Sequence, residues 1–231
     1  MTQQLGIVKG DAFQKLGSAG FIIRTILMVI GDLLMPYTAK LTSNVQEMLK
    51  PLGEHEFRAQ VSSLLMIMGI WAIMIGATGV YRSITAGGAA WARLGFYFIL
   101  VGTAVWTVTL SQDVATASAA ANWLAASAAG KEAAYSALAA VNAVGRGLYP
   151  MTIIVYWLAY TFLGIAMVLS NVYPRWLGWV GLILANTVVA VGIIQTFTAR
   201  STTFTLVFAV LSLLTTLWVL VVGIWIARKA W

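Results

Sequence analysis

The closing run FTLVFAVLSLLTTLWVLVVGIWIA, residues 204–227, holds no charged side chain and is followed directly by the basic pair Arg228 and Lys229. A helix needs about 20 mostly apolar residues to cross a bilayer, and it satisfies its own backbone hydrogen bonds where no water is present. This run is long enough. Working outward from it, five further stretches have the same character: roughly residues 17–36, 61–81, 89–111, 150–170 and 176–197. Hydrophobic residues make up 61% of the 231 positions and charged residues 9%, against about one quarter charged in an average soluble domain. The expected fold is all-α: a polytopic integral membrane protein, a bundle of about six transmembrane helices forming one domain over residues 1–231. An Ala-rich helical hairpin over residues 113–149 is expected outside the membrane.

The net charge is +7, but its cations are scattered singly between apolar spans, a pattern set by membrane topology rather than by nucleic acid. With six spans, Lys9, Lys15, Arg82, Arg93, Arg175, Arg228 and Lys229 share one side. Lys40, Lys50, Arg58, Lys131, Arg146 and Arg200 lie on the other, five of them in the two longest loops, which weigh less in topology. Both termini are therefore expected on the cytoplasmic side of a bacterial inner membrane. The opening MTQQLGIVKGDAFQKL lacks the pattern of a cleavable signal.

The long outer loop reads DVATASAAANWLAASAAGKEAAYSALAAVNAVGRGLYP from Asp113. Alanine is the best helix former, so the third span is expected to continue outward, turn near Gly130 and return as a helix over 131–145. Its small-residue faces suit close helix approach. Two readings stay open: a self-packed hairpin, or a surface that docks a partner through Trp123 and Tyr135. The first loop carries Val45, Met48, Leu49 and Leu52 at helical spacing after Thr42 and Ser43. It is expected either as a short surface helix broken near Pro51 or as a loop tucked over the bundle. The small pairs Ala72 and Gly76, Ala166 and Ser170, and Gly181 and Ala185 each share a helix face and suit tight packing.

Most aromatic residues fall near span ends, as interfacial anchoring requires: Tyr37, Tyr81, Trp91, Tyr149, Tyr173, Trp176, Trp179, Trp225 and Trp231. Trp71, Trp106, Tyr156, Trp157, Tyr160 and Trp218 fall deeper. Packing is the simpler account of these, and contact with a lipid, a pigment or a neighbouring subunit is the functional one.

Two charges interrupt the first span, Arg24 and Asp32 in RTILMVIGDLLMPY, residues 24–37. They are separated by about 12 Å along a helix axis and about 80° around it, too far to pair directly. Arg24 is expected about two turns from the cytoplasmic entry, with its long side chain snorkelling back to the headgroups. Asp32 lies near the outer exit, with Arg200 or Arg58 as natural partner. A structural role for Asp32 is the simpler reading. An ion pathway through Asp32, Asn186 and Gln195 is the alternative, since intramembrane ionisable groups mark such pathways.

Several chemistries are missing. The absence of cysteine excludes thiolate metal sites and cysteine nucleophiles, and the single histidine, His55 in GEHEF, excludes a bis-histidine haem or a His-rich metal centre from this chain alone. No phosphate loop, nucleophile elbow or H-E-x-x-H motif occurs. No enzyme, metal site or covalently bound cofactor is expected.

The run YPRWLGWVGLILA, residues 173–185, and the closing LTTLWVLVVGIWIARK resemble a broad group of uncharacterised bacterial integral membrane proteins with a domain of unknown function. In that group a similar Pro-Arg-Trp-Leu-Gly turn links two late spans and the last helix ends on a basic pair. The resemblance covers about a third of the chain and implies no activity.

Three functions are weighed. The first expectation is a non-catalytic accessory or structural subunit of a larger bacterial membrane complex of respiratory or photosynthetic type, contributing packing and lipid or cofactor contacts to other membrane subunits. The second is a small transporter or channel using Asp32, Asn186 and Gln195, which requires those groups to converge on one cavity. The third is a lipid-modifying enzyme with an acidic cluster around Asp32 and Asp113.

Overall fold

The computed structural model describes residues 7–36, 45–198 and 202–231. Among these residues the chain forms seven helices: α1 (Ala12–Leu34), α2 (Val45–Glu54), α3 (Glu56–Ser83), α4 (Ala89–Ala125), α5 (Lys131–Leu169), α6 (Arg175–Phe197) and α7 (Thr202–Ala230). Six of them are long and apolar enough to cross a membrane; only α2 is not. The protein is a multi-pass membrane protein.

Each spanning helix packs on its neighbours in chain order, and α7 closes back on α1, so the six form a ring. Bare backbone brings α1 and α3 together. A Cβ on Gly17 would stand 2.6 Å from Gly79 Cα, and one on Gly20 would stand 2.6 Å from Gly76 N and 2.8 Å from Ala72 O. With no hydrophobic drive between helices in lipid, such close approach provides the van der Waals contact that holds them. Of the pairs expected to suit tight packing, Ala72 and Gly76 meet Gly20 in this way; Ala166 lies under Gly88, and Gly181 makes room for the Trp218 ring. The α6–α7 seam is the most sparsely packed of the ring.

One end of the ring is tied by its loops and termini. Gly10, at φ 88°, turns the chain so that its N–H donates to Ala230 O at 2.8 Å. Asp11 caps α1 by accepting from the Gln14 N–H. The α3–α4 and α5–α6 turns are joined by a 2.8 Å hydrogen bond between Ser83 Oγ and Tyr173 Oη. Tyr173 is therefore a buried tie rather than the interfacial anchor expected of it. Trp91, Trp176, Trp179 and Trp231 are exposed near span ends, as anchoring predicts.

At the opposite end, α4 and α5 extend beyond the bilayer core as the Ala-rich hairpin, turning at 126–130. Trp123, Leu138, Ala120 and Leu49 form a small core of their own there. Tyr135 packs against Trp123 with ring centroids 5.9 Å apart, and Lys131 Nζ lies 5.2 Å from the centre of the Trp123 ring. The hairpin packs on itself, with Trp123 buried inside it and Tyr135 half-buried. The first loop forms α2 as expected, but Pro51 lies within the helix instead of breaking it, and α2 packs on the α4 extension. The proposed caps Thr42 and Ser43 lie outside the described residues. The return arm likewise differs from a separate 131–145 helix. It runs unbroken through Pro150 into the fourth span, because the single bond that a proline removes is tolerated where neighbouring helices enclose it.

Candidate intramembrane arginine site

Along α1, Arg24 stands about 18 Å from the Ala12 end and about 15 Å from the Leu34 end at 1.5 Å per residue, which is mid-depth in a hydrocarbon core of about 30 Å. Its side chain is 2% exposed. The guanidinium points into the ring, where Nη1 donates to Thr216 Oγ1 on α7 at 2.9 Å. Thr216 sits midway along α7. This corrects the expectation of snorkelling: the head is held across the bundle, because Phe21, one turn away on the same face of α1, is buried against Gly76 of α3 and Gly223 of α7, so this face turns into the ring rather than toward a headgroup layer.

On the third side the guanidinium lies beside the Tyr160 hydroxyl of α5. Tyr160 donates to Tyr156 Oη, one turn outward, at 3.0 Å. Trp157 Nε1 donates to Thr215 Oγ1 at 3.3 Å, next to the arginine's own partner. Around this polar chain is an aromatic wall. Trp106 stacks on Tyr156 at 5.8 Å, Trp157 meets Phe208 edge-on at 5.4 Å, and Tyr160 meets Trp218 edge-on at 5.8 Å. Five of the six deep aromatic residues thus line the inside of the ring. The sixth, Trp71, faces outward and donates to Thr107 Oγ1.

A guanidinium keeps its charge in any protein setting and offers five donors. Arg24 Nε is buried without a hydrogen-bond partner. No carboxylate among the described residues is placed beside it: Asp32, the next acid along α1, is about 12 Å further on and exposed. The site therefore combines a fixed positive charge, an unfilled N–H and the hydroxyls of Thr216 and Tyr156 in a dry, aromatic surround. Chemically it is a cation with hydroxyl partners and no counter-anion, and one of its donors, Nε, has no acceptor.

The other residues singled out in the sequence do not join it. Asp32 is exposed at the end of α1 away from the chain termini, and Arg58 Nη2 donates to the Leu33 carbonyl beside it at 3.1 Å. Arg200 lies outside the described residues. Asn186 is exposed and its amide donates back to Leu182 O of its own helix. Gln195 is buried two residues from the C-terminal end of α6, with Nε2 unpartnered. Asp113 lies on the outward extension of α4, far along the chain from Asp32 and on a helix that packs on α2, α3 and α5 rather than on α1. Glu56 accepts from Gln60 Nε2 and Ser118 Oγ, while His55 is exposed. No group of three His, Cys, Asp or Glu among the described residues is placed to hold a metal ion. Sequence reasoning missed Thr215 and Thr216; their one signal is a hydroxyl doublet at the centre of the most apolar span.

The family model for a domain of unknown function, DUF4386, matches residues 17–229. The chain belongs to the DUF4386 family. That match reaches from α1 to α7, well beyond the third of the chain that carried the resemblance, and every residue of the arginine site lies inside it. No curated protein and no solved structure matches the chain.

Proposed function

We propose that the protein is a small non-enzymatic transporter or channel in which Arg24 receives an anion part-way across the bilayer. The observation that carries this is the buried, mid-depth guanidinium whose Nε has no partner. A charge at the bilayer centre costs about 3 kcal/mol even on insertion scales, and such residues face interiors that handle ions or substrates. An anion would neutralise the charge and fill the missing acceptor in one step. The groups that support the reading are Arg24, Tyr156, Tyr160 and Thr216, not Asp32 and Asn186. Proteoliposomes holding the purified protein and an anion-sensitive dye test it, with chloride and nitrate as probes. Wild-type flux above the protein-free leak, abolished by Arg24→Gln, is expected. Flux equal to the leak for every anion, or undiminished in Arg24→Gln, overturns it.

A second reading, the accessory subunit of a larger membrane complex, is favoured by one surface. Ala133, Ala137, Ala140 and Val144 are exposed along one side of the outer arm of α5, a face another helix can approach closely. A stoichiometric partner that co-purifies from native membranes and is lost in Ala137→Glu is its expected sign; a lone protein in gentle detergent counts against it. In either reading we place the chain in the bacterial cytoplasmic membrane with both termini inside. Seven of the fourteen Lys and Arg residues but only one of the seven acids, Asp11, lie at the end of the ring that carries the termini.

A further inference from the structure

The ring is least tightly closed at the α6–α7 seam, and a groove of about 320 Å³ runs along it. Its wall is carbon: Trp176 and Val180 on one side, Leu214, Leu217 and Val221 on the other, with Trp218 between them. The only polar atom of Trp218 is turned away, donating to Leu177 O at 2.8 Å. Trp176 and Val180, with Leu214, Leu217 and Val221, are all well exposed, so the groove opens sideways toward lipid rather than into the ring. From Trp176, at the end of α6 that meets the headgroups, the groove runs inward along α6 for about 12 Å, close to the depth of one leaflet's acyl layer.

The mouth of the groove is cationic. Arg175 is exposed next to Trp176. On α7, Trp225 lies one turn beyond Val221 and Arg228 one turn beyond that, which keeps both on the helix face that lines the seam. Trp225 Nε1 is buried without an acceptor, and Lys229 Nζ stands 4.9 Å from the centre of its ring. We infer that the seam is a binding site for one anionic phospholipid of the leaflet at the terminus-bearing end. An acyl chain lies along the carbon groove, the phosphate meets Arg175 and Arg228, and an ester carbonyl is within the chemistry of the Trp225 N–H. Charge complementarity selects this occupant over a neutral lipid, because the end of the ring where the groove opens carries seven cations and one acid. The inference rests on the seam alone and stands whether or not Arg24 handles anions.

Native mass spectrometry of the delipidated full chain, offered phosphatidylglycerol and phosphatidylcholine with identical acyl chains, tests it. One phosphatidylglycerol is expected to be retained in preference. Arg175→Gln and Arg228→Gln are each expected to cut that preference roughly fivefold while leaving retention of phosphatidylcholine unchanged. Leu217→Trp, which fills the groove, is expected to reduce retention of both lipids. Equal retention of the two lipids by the wild type, a preference unmoved by all three variants, or a seam occupied by a second copy and read as a dimer peak would each overturn it. Unaltered thermal unfolding of the three variants in detergent separates lost binding from lost fold.

Discussion

Arg24 and Tyr173 show how differently a buried polar side chain can be accommodated. Tyr173 is matched by Ser83 at 2.8 Å and ties two turns together outside the spans. Burial pushes its phenol well above the ordinary tyrosine range, and the Ser83 bond offsets only part of that. The neutral phenol is thus favoured in the folded state. Its contribution to stability is fully present below about pH 10, where an unfolded tyrosine begins to ionise, and is lost as pH rises through the higher folded value. Tyr173→Phe is expected to cost about 1 kcal/mol at neutral pH and to make unfolding less sensitive to alkali; an unfolding midpoint measured from pH 8 to 12 in both proteins checks this. Arg24 has no such match at Nε. Its oddity was legible in the sequence, since a charge in an apolar span is visible at once. Its surroundings were not. The expectation of snorkelling assumed an Arg24 that faces lipid, and which face of a span turns inward is decided by neighbours that the chain brings from Tyr160 and Thr216.

Among the helices, the same limit explains what was and was not readable. Length and hydropathy locate all six spans: four of the expected stretches lie inside the helix observed, while 17–36 overruns α1 by two residues and 150–170 overruns α5 by one. The faces were hidden because α3 and α7 are apolar all round, so no amphipathic stripe marks the buried side. A break is expected near Pro51, yet Pro51 lies within α2, and Pro150 likewise lies within α5, since a proline removes one hydrogen bond and the packing around it maintains the rest. The glycines carry the clearest prediction at this scale. Gly20→Leu places a side chain where the α3 backbone already stands, 2.6 Å from Gly76 N, and is expected to destabilise by at least about 1–3 kcal/mol. Gly147 has nothing within 4 Å of an added Cβ and lies inside α5, so Gly147→Ala is expected to stabilise by up to about 1 kcal/mol through helix propensity. Equal midpoints for the two variants in a denaturant titration would contradict the packing described.

The whole molecule is a ring closed by α1 and α7 around an aromatic interior, with a charge imbalance between its ends and one cation between them. The seven cations gathered with the termini predict that a fluorescent protein fused after Trp231 folds and fluoresces in the cytoplasm; a dark fusion, with activity instead from a phosphatase placed there, would reverse the orientation. The ring also gives Arg24 its meaning. A guanidinium that served only to hold α1 against α5 and α7 would be missed when removed, whereas one kept for an incoming anion is a burden to the empty protein. Breaking a satisfied buried polar cluster costs several kcal/mol, while removing an uncompensated charge is neutral or stabilising. The most direct measurement is therefore the thermal midpoint of wild type and Arg24→Gln in detergent, each titrated with chloride and nitrate at constant ionic strength. The account predicts that Arg24→Gln melts at or above the wild-type temperature without added anion. It also predicts that only the wild type gains stability as the anion rises. An Arg24→Gln protein that melts far below a wild type indifferent to every anion would contradict it and leave Arg24 as a structural tie.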